Sequence, residues 1–229
     1  MNFPYKIIDL THTLNDTIPS WNGSCGFQHT TKLDYDDCKT EVKFRVQKIT
    51  MHAGIGTHID APAHCVPKGV TVEDLRLQDL IAPCVVIDVS PKSHERYSVA
   101  VQDIKEFEES HGIIPKRAFI IIRTGWEQFW LTPDRYRNHH VFPSVSAEAA
   151  EFLLEKQVVG LGIDTLSPDR PKDGYLVHQT LLGAGKYIIE NVANSGALPP
   201  LGSYSLALPI KTQGGTEAPI RLIALINGI

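Results

Sequence analysis

The alternation of apolar and polar positions divides the chain into short buried strands. Four runs of mostly apolar, β-branched residues, at 84–89, 118–123, 158–163 and 222–226, are predicted to be strands. Because these runs are apolar throughout, we expect other elements to cover both faces of each strand. Residues 42–51 alternate more, which predicts a strand with one face exposed to solvent.

Helical patterns lie between the central strands. Apolar residues recur at three-residue steps over 101–107, and Gly112 is expected to end that helix as its C-cap. Ser146 is a suitable N-cap for a second helix over 147–157. Since strands and helices alternate in the middle of the chain and both ends are predicted to be β, the fold class is mixed α/β.

Composition narrows the class of protein. The chain has 229 residues, 42% hydrophobic and 21% charged, without internal repeats, so a single domain over residues 1–229 is expected. The formal net charge of −4 argues against nucleic acid and against an anionic membrane surface as partners. No apolar run approaches the roughly 20 residues of a membrane span. The first residues lack the charged region followed by an apolar region that is typical of a signal peptide. A cytoplasmic protein with reduced cysteines is therefore expected.

Candidate chemistry is concentrated in residues 56–64, which contain two histidines and an aspartate. In an extended segment His58 and Asp60 project to the same side. Imidazole and carboxylate are ligands that a divalent metal prefers for hydrolytic work. His64 follows a turn at Pro62, where it is placed to act as a general base without binding the metal. A lone histidine is usually a surface or core residue, but this grouping favours a metal site. Whether the adjacent Cys65 reaches that site stays open, since the cysteines are most simply packing residues.

This run resembles the GTHxDxPxH signature of the metal-dependent cyclase family, whose members include bacterial kynurenine formamidases and isatin hydrolases. The resemblance extends over most of the chain. The other matching segments are residues 7–12, 17–21, 164–167, 182–185, 188–191, 208–210 and 214–219, together with His178.

The resemblance implies a swivelling β/β/α architecture and a wider set of site residues. The implied metal ligands are His58, Asp60, His178 and Glu190, and Trp21 matches the family's aromatic substrate contact. From composition alone Glu190 would be a solvated carboxylate. The implied cofactor is a divalent metal, zinc or manganese, and the implied assembly is a homo-oligomer.

The sequence departs from the family at one position. Many members carry a further metal-ligating histidine four residues before the one that matches His58, and here that position is Gly54. The nearest upstream histidine, His52, is two residues too early, and whether it reaches the site depends on the path of the chain through Gly54 and Gly56. The departure weakens the formamidase assignment and favours one metal ion over two.

The sequence therefore predicts a metal-dependent hydrolase that cleaves a small amide or cyclic amide, with His64 as the general acid–base residue. Three alternatives stay open: a kynurenine formamidase proper, a metal-bearing ligand-binding protein without turnover, and a lyase or dehydratase. The chain has no G-x-S-x-G nucleophile elbow, P-loop or dinucleotide fingerprint that would indicate other chemistry.

Overall fold

A β-sheet that closes on itself organises the computed structural model, which describes residues 4–228. The strands are β1 (Tyr5–Asp9), β2 (Phe27–Leu33), β3 (Val46–Met51), β4 (His58–Asp60), β5 (Ile81–Asp88), β6 (Ser98–Val99), β7 (Phe119–Arg123), β8 (Ser144–Val145), β9 (Gly160–Ile163), β10 (Tyr187–Glu190), β11 (Ser203–Pro209) and β12 (Glu217–Asn227). The helices are α1 (Leu77–Leu80), α2 (Val101–His111), α3 (Pro133–Arg137), α4 (Ala147–Glu155) and α5 (Leu176–Gly183).

The main sheet has eight strands in the order β1-β12-β11-β5-β7-β9-β10-β4. Strand β4 also pairs with β12, so every strand of this sheet except β1 takes part in a closed barrel. Strands β5, β7, β9 and β10 pair parallel to one another, whereas β11 pairs antiparallel with β5 and β12, and β4 pairs antiparallel with β10 and β12. The mixed α/β class expected from the sequence is confirmed.

The strands predicted from apolar runs are present as β5, β7, β9 and β12. Strand β7 is apolar along its whole length because its two faces pack into two different cores. Phe119 and Ile121 belong to a cluster that β4, β5, β10, β11 and β12 share inside the barrel. Ile120 and Ile122 belong to a second cluster, which lies beneath helices α2 and α4. Strand β12 is longer than predicted since its first residues pair with β4.

Both predicted helices are present with the expected caps. Gly112 ends α2 with φ 103°, a backbone conformation that favours glycine. The Ser146 hydroxyl accepts a hydrogen bond from the backbone N–H of Ala149 at 3.1 Å and begins α4. Helix α4 ends before residue 157, the predicted limit, and Gln157 has φ 60°, which no helical residue adopts.

Strands β2 and β3 form a separate two-stranded hairpin. The prediction of a half-exposed strand over residues 42–51 is wrong in two respects: β3 begins at Val46, and its residues on both faces are largely exposed. The physical reason is that β3 pairs only with β2 in the described part of the chain. Apolar side chains such as Phe44 and Ile49 are consequently more than half exposed.

Two further expectations concern the cysteines and the membrane. All four cysteines (Cys25, Cys38, Cys65 and Cys84) are free thiols. Within residues 4–228, no helix combines the length and the apolar character that crossing a bilayer requires.

Candidate active site

Three neighbouring strands, β10, β4 and β12, carry the predicted metal-binding residues. Strand β4 is central: His58 lies opposite Glu190 of β10, and Asp60 lies opposite Glu217 of β12. Ile59, between them, points into the barrel core, so His58 and Asp60 share the other face, as the sequence predicted. Strand pairing thus places three carboxylates and an imidazole side by side.

The side chains of His58, Asp60, His178 and Glu190 converge, and each is at most 7% exposed. The Nε2 atom of His58 lies 3.3 Å from Glu190 Oε2 and 3.6 Å from Asp60 Oδ1. The Nε2 atom of His178 lies 3.6 Å from Asp60 Oδ2 and 3.5 Å from Glu190 Oε1. Both carboxylates therefore contact both imidazoles.

His58 is oriented by the backbone of its own approach segment. Its Nδ1–H donates to the carbonyl oxygen of Gly56 at 2.9 Å, which leaves Nε2 facing the cluster. The same carbonyl accepts a hydrogen bond from Asn191 Nδ2 at 2.8 Å. Gly56 has φ 61°, so a residue with a side chain would be strained at this position.

His178 is oriented by Asp169, a buried carboxylate that sequence reasoning missed. Asp169 accepts hydrogen bonds from the backbone N–H groups of Val177 and His178, at 3.0 and 2.9 Å, and from His178 Nδ1 at 2.7 Å. One carboxylate therefore caps the start of α5 and fixes the ring of His178 with Nε2 towards the cluster.

The carboxylates make the cluster favourable for positive charge. Burial by itself lowers the pKa of His58, but the hydrogen bond to Glu190 and the charges of Asp60 and Glu190 outweigh it and raise the pKa to about 10. For His178, burial is likewise outweighed by the hydrogen bonds to Asp169 and Asp60, and the pKa rises to about 11. Burial and the charge of Asp60 raise the pKa of Glu190, as expected for two carboxylates this close.

These donor atoms fit a divalent metal. Two groups of donors lie within 4.8 Å of one another: His58, Asp60 and Glu190 in the first, and Asp60, His64 and His178 in the second. Asp60 Oδ1 is buried and has no hydrogen-bond partner among residues 4–228, an arrangement that is costly unless a cation or other partner satisfies it. Imidazole nitrogens and carboxylate oxygens in this number are typical of zinc and manganese sites.

His64 ends a 3₁₀ turn, Pro62–His64, that follows β4 directly. Its Nδ1 lies 3.3 Å from Glu217 Oε2, and its side chain is 34% exposed, far more than the other donors. The Glu217 carboxylate, as an acceptor for the His64 ring, raises the pKa of His64. The structure thus brings His64 to the same cluster, on its open side.

A cavity of about 560 Å³ opens onto the cluster and is lined by His58, His64, His178 and Glu190. Trp21 lines the same cavity, with its ring stacked at 4.2 Å on His140 and tilted against Tyr175 at 6.3 Å. Cys65 also lines the cavity, and its thiol lies 3.6 Å from the carbonyl oxygen of His178. His52 packs against Gly26 and lies in neither donor group.

The family model for Cyclase matches residues 8–170, well over half of the chain. This protein belongs to the cyclase family. The kynurenine formamidase of Bacillus cytotoxicus is 30% identical over 222 residues, which cover 94% of this chain and 95% of that protein.

Solved cyclase-family structures are also similar. Isatin hydrolase A from Labrenzia aggregata, bound to benzyl benzoate, has a TM-score of 0.87 and 30% identity, and the match covers 98% of this chain and 94% of that chain. A potential metal-dependent hydrolase with cyclase activity has a TM-score of 0.75 and 29% identity, over 96% and 98% of the two chains. The prediction of a hydrolytic enzyme of this family is confirmed.

Sequence reasoning missed two carboxylates of this cyclase-family site, Asp169 and Glu217. Each acts on a histidine that is distant in sequence: Asp169 is nine residues before His178, and Glu217 contacts His64 across β4 and β12. Glu217 does lie in the segment 214–219 that matched the family pattern, so that segment was the available signal. Asp169 lies outside every matched segment, in the loop between β9 and α5.

Proposed function

We propose that this protein hydrolyses the C–N bond of a small aromatic amide or cyclic amide. The observation that carries the proposal is that His58, His178 and Glu190 converge on Asp60 and line one cavity, with His64 on the open side of the cluster. A volume of about 560 Å³ suits a substrate the size of a substituted bicyclic ring. Similarity to isatin hydrolase and kynurenine formamidase supports the same class of reaction.

We assign His58, Asp60, His178 and Glu190 as the residues that hold the metal, zinc or manganese. A divalent metal there would supply Lewis acidity towards a carbonyl oxygen and would acidify water. We propose one ion per chain, because both donor groups depend on Asp60. Elemental analysis that gives two ions per chain would contradict this choice.

We assign His64 as the general acid–base residue. Its Nδ1 is held by Glu217, so Nε2 is the atom that accepts a proton from water and returns it to the departing nitrogen. Being half-exposed, His64 can exchange that proton with solvent between turnovers. Trp21 is assigned as the substrate contact, since its indole offers a flat apolar surface within the same cavity.

Kynurenine formamidase activity is the second candidate. It is favoured by a similarity that extends over 94% of this chain and 95% of the Bacillus cytotoxicus enzyme. Gly54, where many family members have a metal-ligating histidine, disfavours it. The aromatic wall of the cavity suits both N-formylkynurenine and isatin, so the choice between them rests on assay.

Three wider properties complete the proposal. Residues 1–229 form one catalytic domain, and the protein acts in the cytoplasm on a small molecule. It assembles as a homo-oligomer, which is supported by the exposed apolar side chains of the β2–β3 hairpin, Val46 and Ile49 among them. Sedimentation equilibrium measures the assembly state directly.

The test is a turnover assay of metal-loaded protein with isatin, N-formylkynurenine and a set of lactams and lactones in ¹⁸O-labelled water. Hydrolysis predicts one labelled oxygen in the product, and His64→Ala is expected to lose about 10²–10⁴-fold in kcat while it keeps its metal. Product without label would indicate a lyase or dehydratase. Tight binding of several aromatic amides without turnover would indicate a ligand-binding protein.

A further inference from the structure

We propose that Glu217 is a positioning residue for His64, and that the glycine at position 54 exists to leave room for it. The proposal rests on the acid–base role assigned to His64 above. The proposal also explains why glycine stands at position 54, where many members of the cyclase family have a histidine.

The first observation is the placement of Glu217. It begins β12 directly opposite Asp60, so its side chain lies on the same face of the sheet as the metal-binding residues. The backbone next to it is fixed, because the carbonyl oxygen of Thr216 accepts a hydrogen bond from Ala61 N–H at 2.9 Å. The carboxylate therefore extends from a rigid strand end towards His64.

The second observation is the contact itself. Glu217 Oε2 lies 3.3 Å from Nδ1 of His64, whose own segment is a short 3₁₀ turn. Because the side chain of His64 is 34% exposed, packing alone does not hold its ring in one orientation. The Glu217 carboxylate is placed to accept the Nδ1 proton, which would favour the tautomer that presents Nε2 to the cavity.

The third observation is the space at Gly54. A Cβ atom added to Gly54 would overlap Glu217 Oε1, and it would lie 3.3 Å from His58 Nε2. The backbone of Gly54 is outside the left-handed region, so its φ angle is open to any residue. The main obstacle to a side chain at position 54 is therefore the carboxylate of Glu217, which would have to move away from its present position to admit one.

The first test compares Glu217→Ala with Glu217→Gln. We expect Glu217→Ala to lower kcat about 10- to 100-fold, part of the usual general acid–base contribution, with KM and metal content near wild type. Glu217→Gln keeps an oxygen acceptor for Nδ1 and should recover part of that loss. The matched control is Glu151→Gln on the exposed side of α4, which should leave all three quantities unchanged.

A second readout does not depend on activity. In ¹⁵N-labelled, metal-loaded protein, the His64 ring of the wild type should show the Nδ1-protonated tautomer, and Glu217→Ala should shift it towards a mixture. An unchanged tautomer with unchanged kcat would overturn the proposal. Loss of metal by Glu217→Ala would also overturn it, because Glu217 would then act on the metal rather than on His64.

The third test uses the space shared by positions 54 and 217. Gly54→Ala should displace the Glu217 side chain and lower kcat about as much as Glu217→Ala does. The double variant Gly54→Ala/Glu217→Ala should be no slower than Glu217→Ala alone, since the clash is removed with the carboxylate. Two fully additive losses would show that Gly54 has a separate role and would contradict the proposal.

These outcomes separate the positioning role from the proposed function. If His64→Ala retains wild-type kcat, the acid–base assignment is wrong and the role of Glu217 fails with it. If His64→Ala loses turnover while Glu217→Ala keeps both kcat and the tautomer, the assignment of His64 survives and the positioning role of Glu217 alone is wrong.

Discussion

Two regions of the molecule bury histidine rings but shift the pKa of the ring in opposite directions. His12 stacks on Trp130 with ring centroids 3.8 Å apart, and its Nε2 is buried without a hydrogen-bond partner. Burial lowers the pKa of His12 to about 4. His58 is more deeply buried, yet its pKa rises to about 10. The difference comes mainly from Asp60 and Glu190, with a smaller part from the hydrogen bond to the Gly56 carbonyl, so the cluster on β4 favours a positive charge.

The cation that satisfies this cluster is either a proton or a metal ion. Asp60 and Glu190 contact both His58 and His178, so a metal bound there must displace protons from the two imidazoles. Apparent metal affinity should therefore rise with pH. Among the described residues, no carboxylate offsets the burial of His12, which makes it a natural reference for the effect of burial alone.

Removing a metal ligand is expected to have the largest effect. His58→Ala and Asp60→Ala should each weaken zinc or manganese binding by more than the 10- to 100-fold that outer-sphere changes typically cost, and turnover should be lost with the metal. Isothermal titration calorimetry on the metal-free proteins, with elemental analysis of the purified proteins, measures both affinity and stoichiometry.

His12→Phe is the matched control for those variants, since it changes a histidine outside the cluster and keeps an aromatic ring against Trp130. It should bind metal as the wild type does. Full metal occupancy in both His58→Ala and Asp60→Ala would mean that the site is assigned to the wrong residues.

The sequence was informative where the chemistry is local. His58 and Asp60 are two residues apart on one strand, so strand periodicity alone predicted their shared face. His178 and Glu190 lie on α5 and β10, and only the family resemblance connected them with β4. The role of Asp169 was not predicted, because its contact with His178 depends on how the loop after β9 folds back onto the start of α5. No local sequence pattern indicates that path.

Replacing Asp169 by asparagine tests that hidden contact and should have an intermediate effect. Asp169→Asn keeps the size of the side chain but removes the charge that favours proton donation from His178 Nδ1. Metal affinity should fall about 10- to 100-fold, the usual cost of losing an outer-sphere partner of a metal-binding histidine. Titration calorimetry measures the loss, and circular dichroism checks that α5 is intact. If Asp169→Asn binds metal with the affinity of the wild type, hydrogen bonds from the backbone N–H groups are sufficient to orient α5 and His178.

The smallest predicted effect concerns His12 and stability. Because the pKa of His12 is lowered to about 4 in the folded protein, the unfolded chain, with a histidine pKa of about 6.5, binds more protons between these values. The contribution of His12 is thus complete above pH 6.5 and is lost as the pH falls towards 4. Between pH 7 and pH 5 the metal-free wild type should therefore lose about 1–2 kcal/mol more unfolding free energy than His12→Phe does. The range allows for the partly exposed ring. Urea unfolding of both proteins at pH 7 and pH 5 measures the difference, and histidines common to both cancel. If the difference in unfolding free energy between the two proteins does not change with pH, the stack on Trp130 does not desolvate His12. His12 would then no longer serve as the reference for His58.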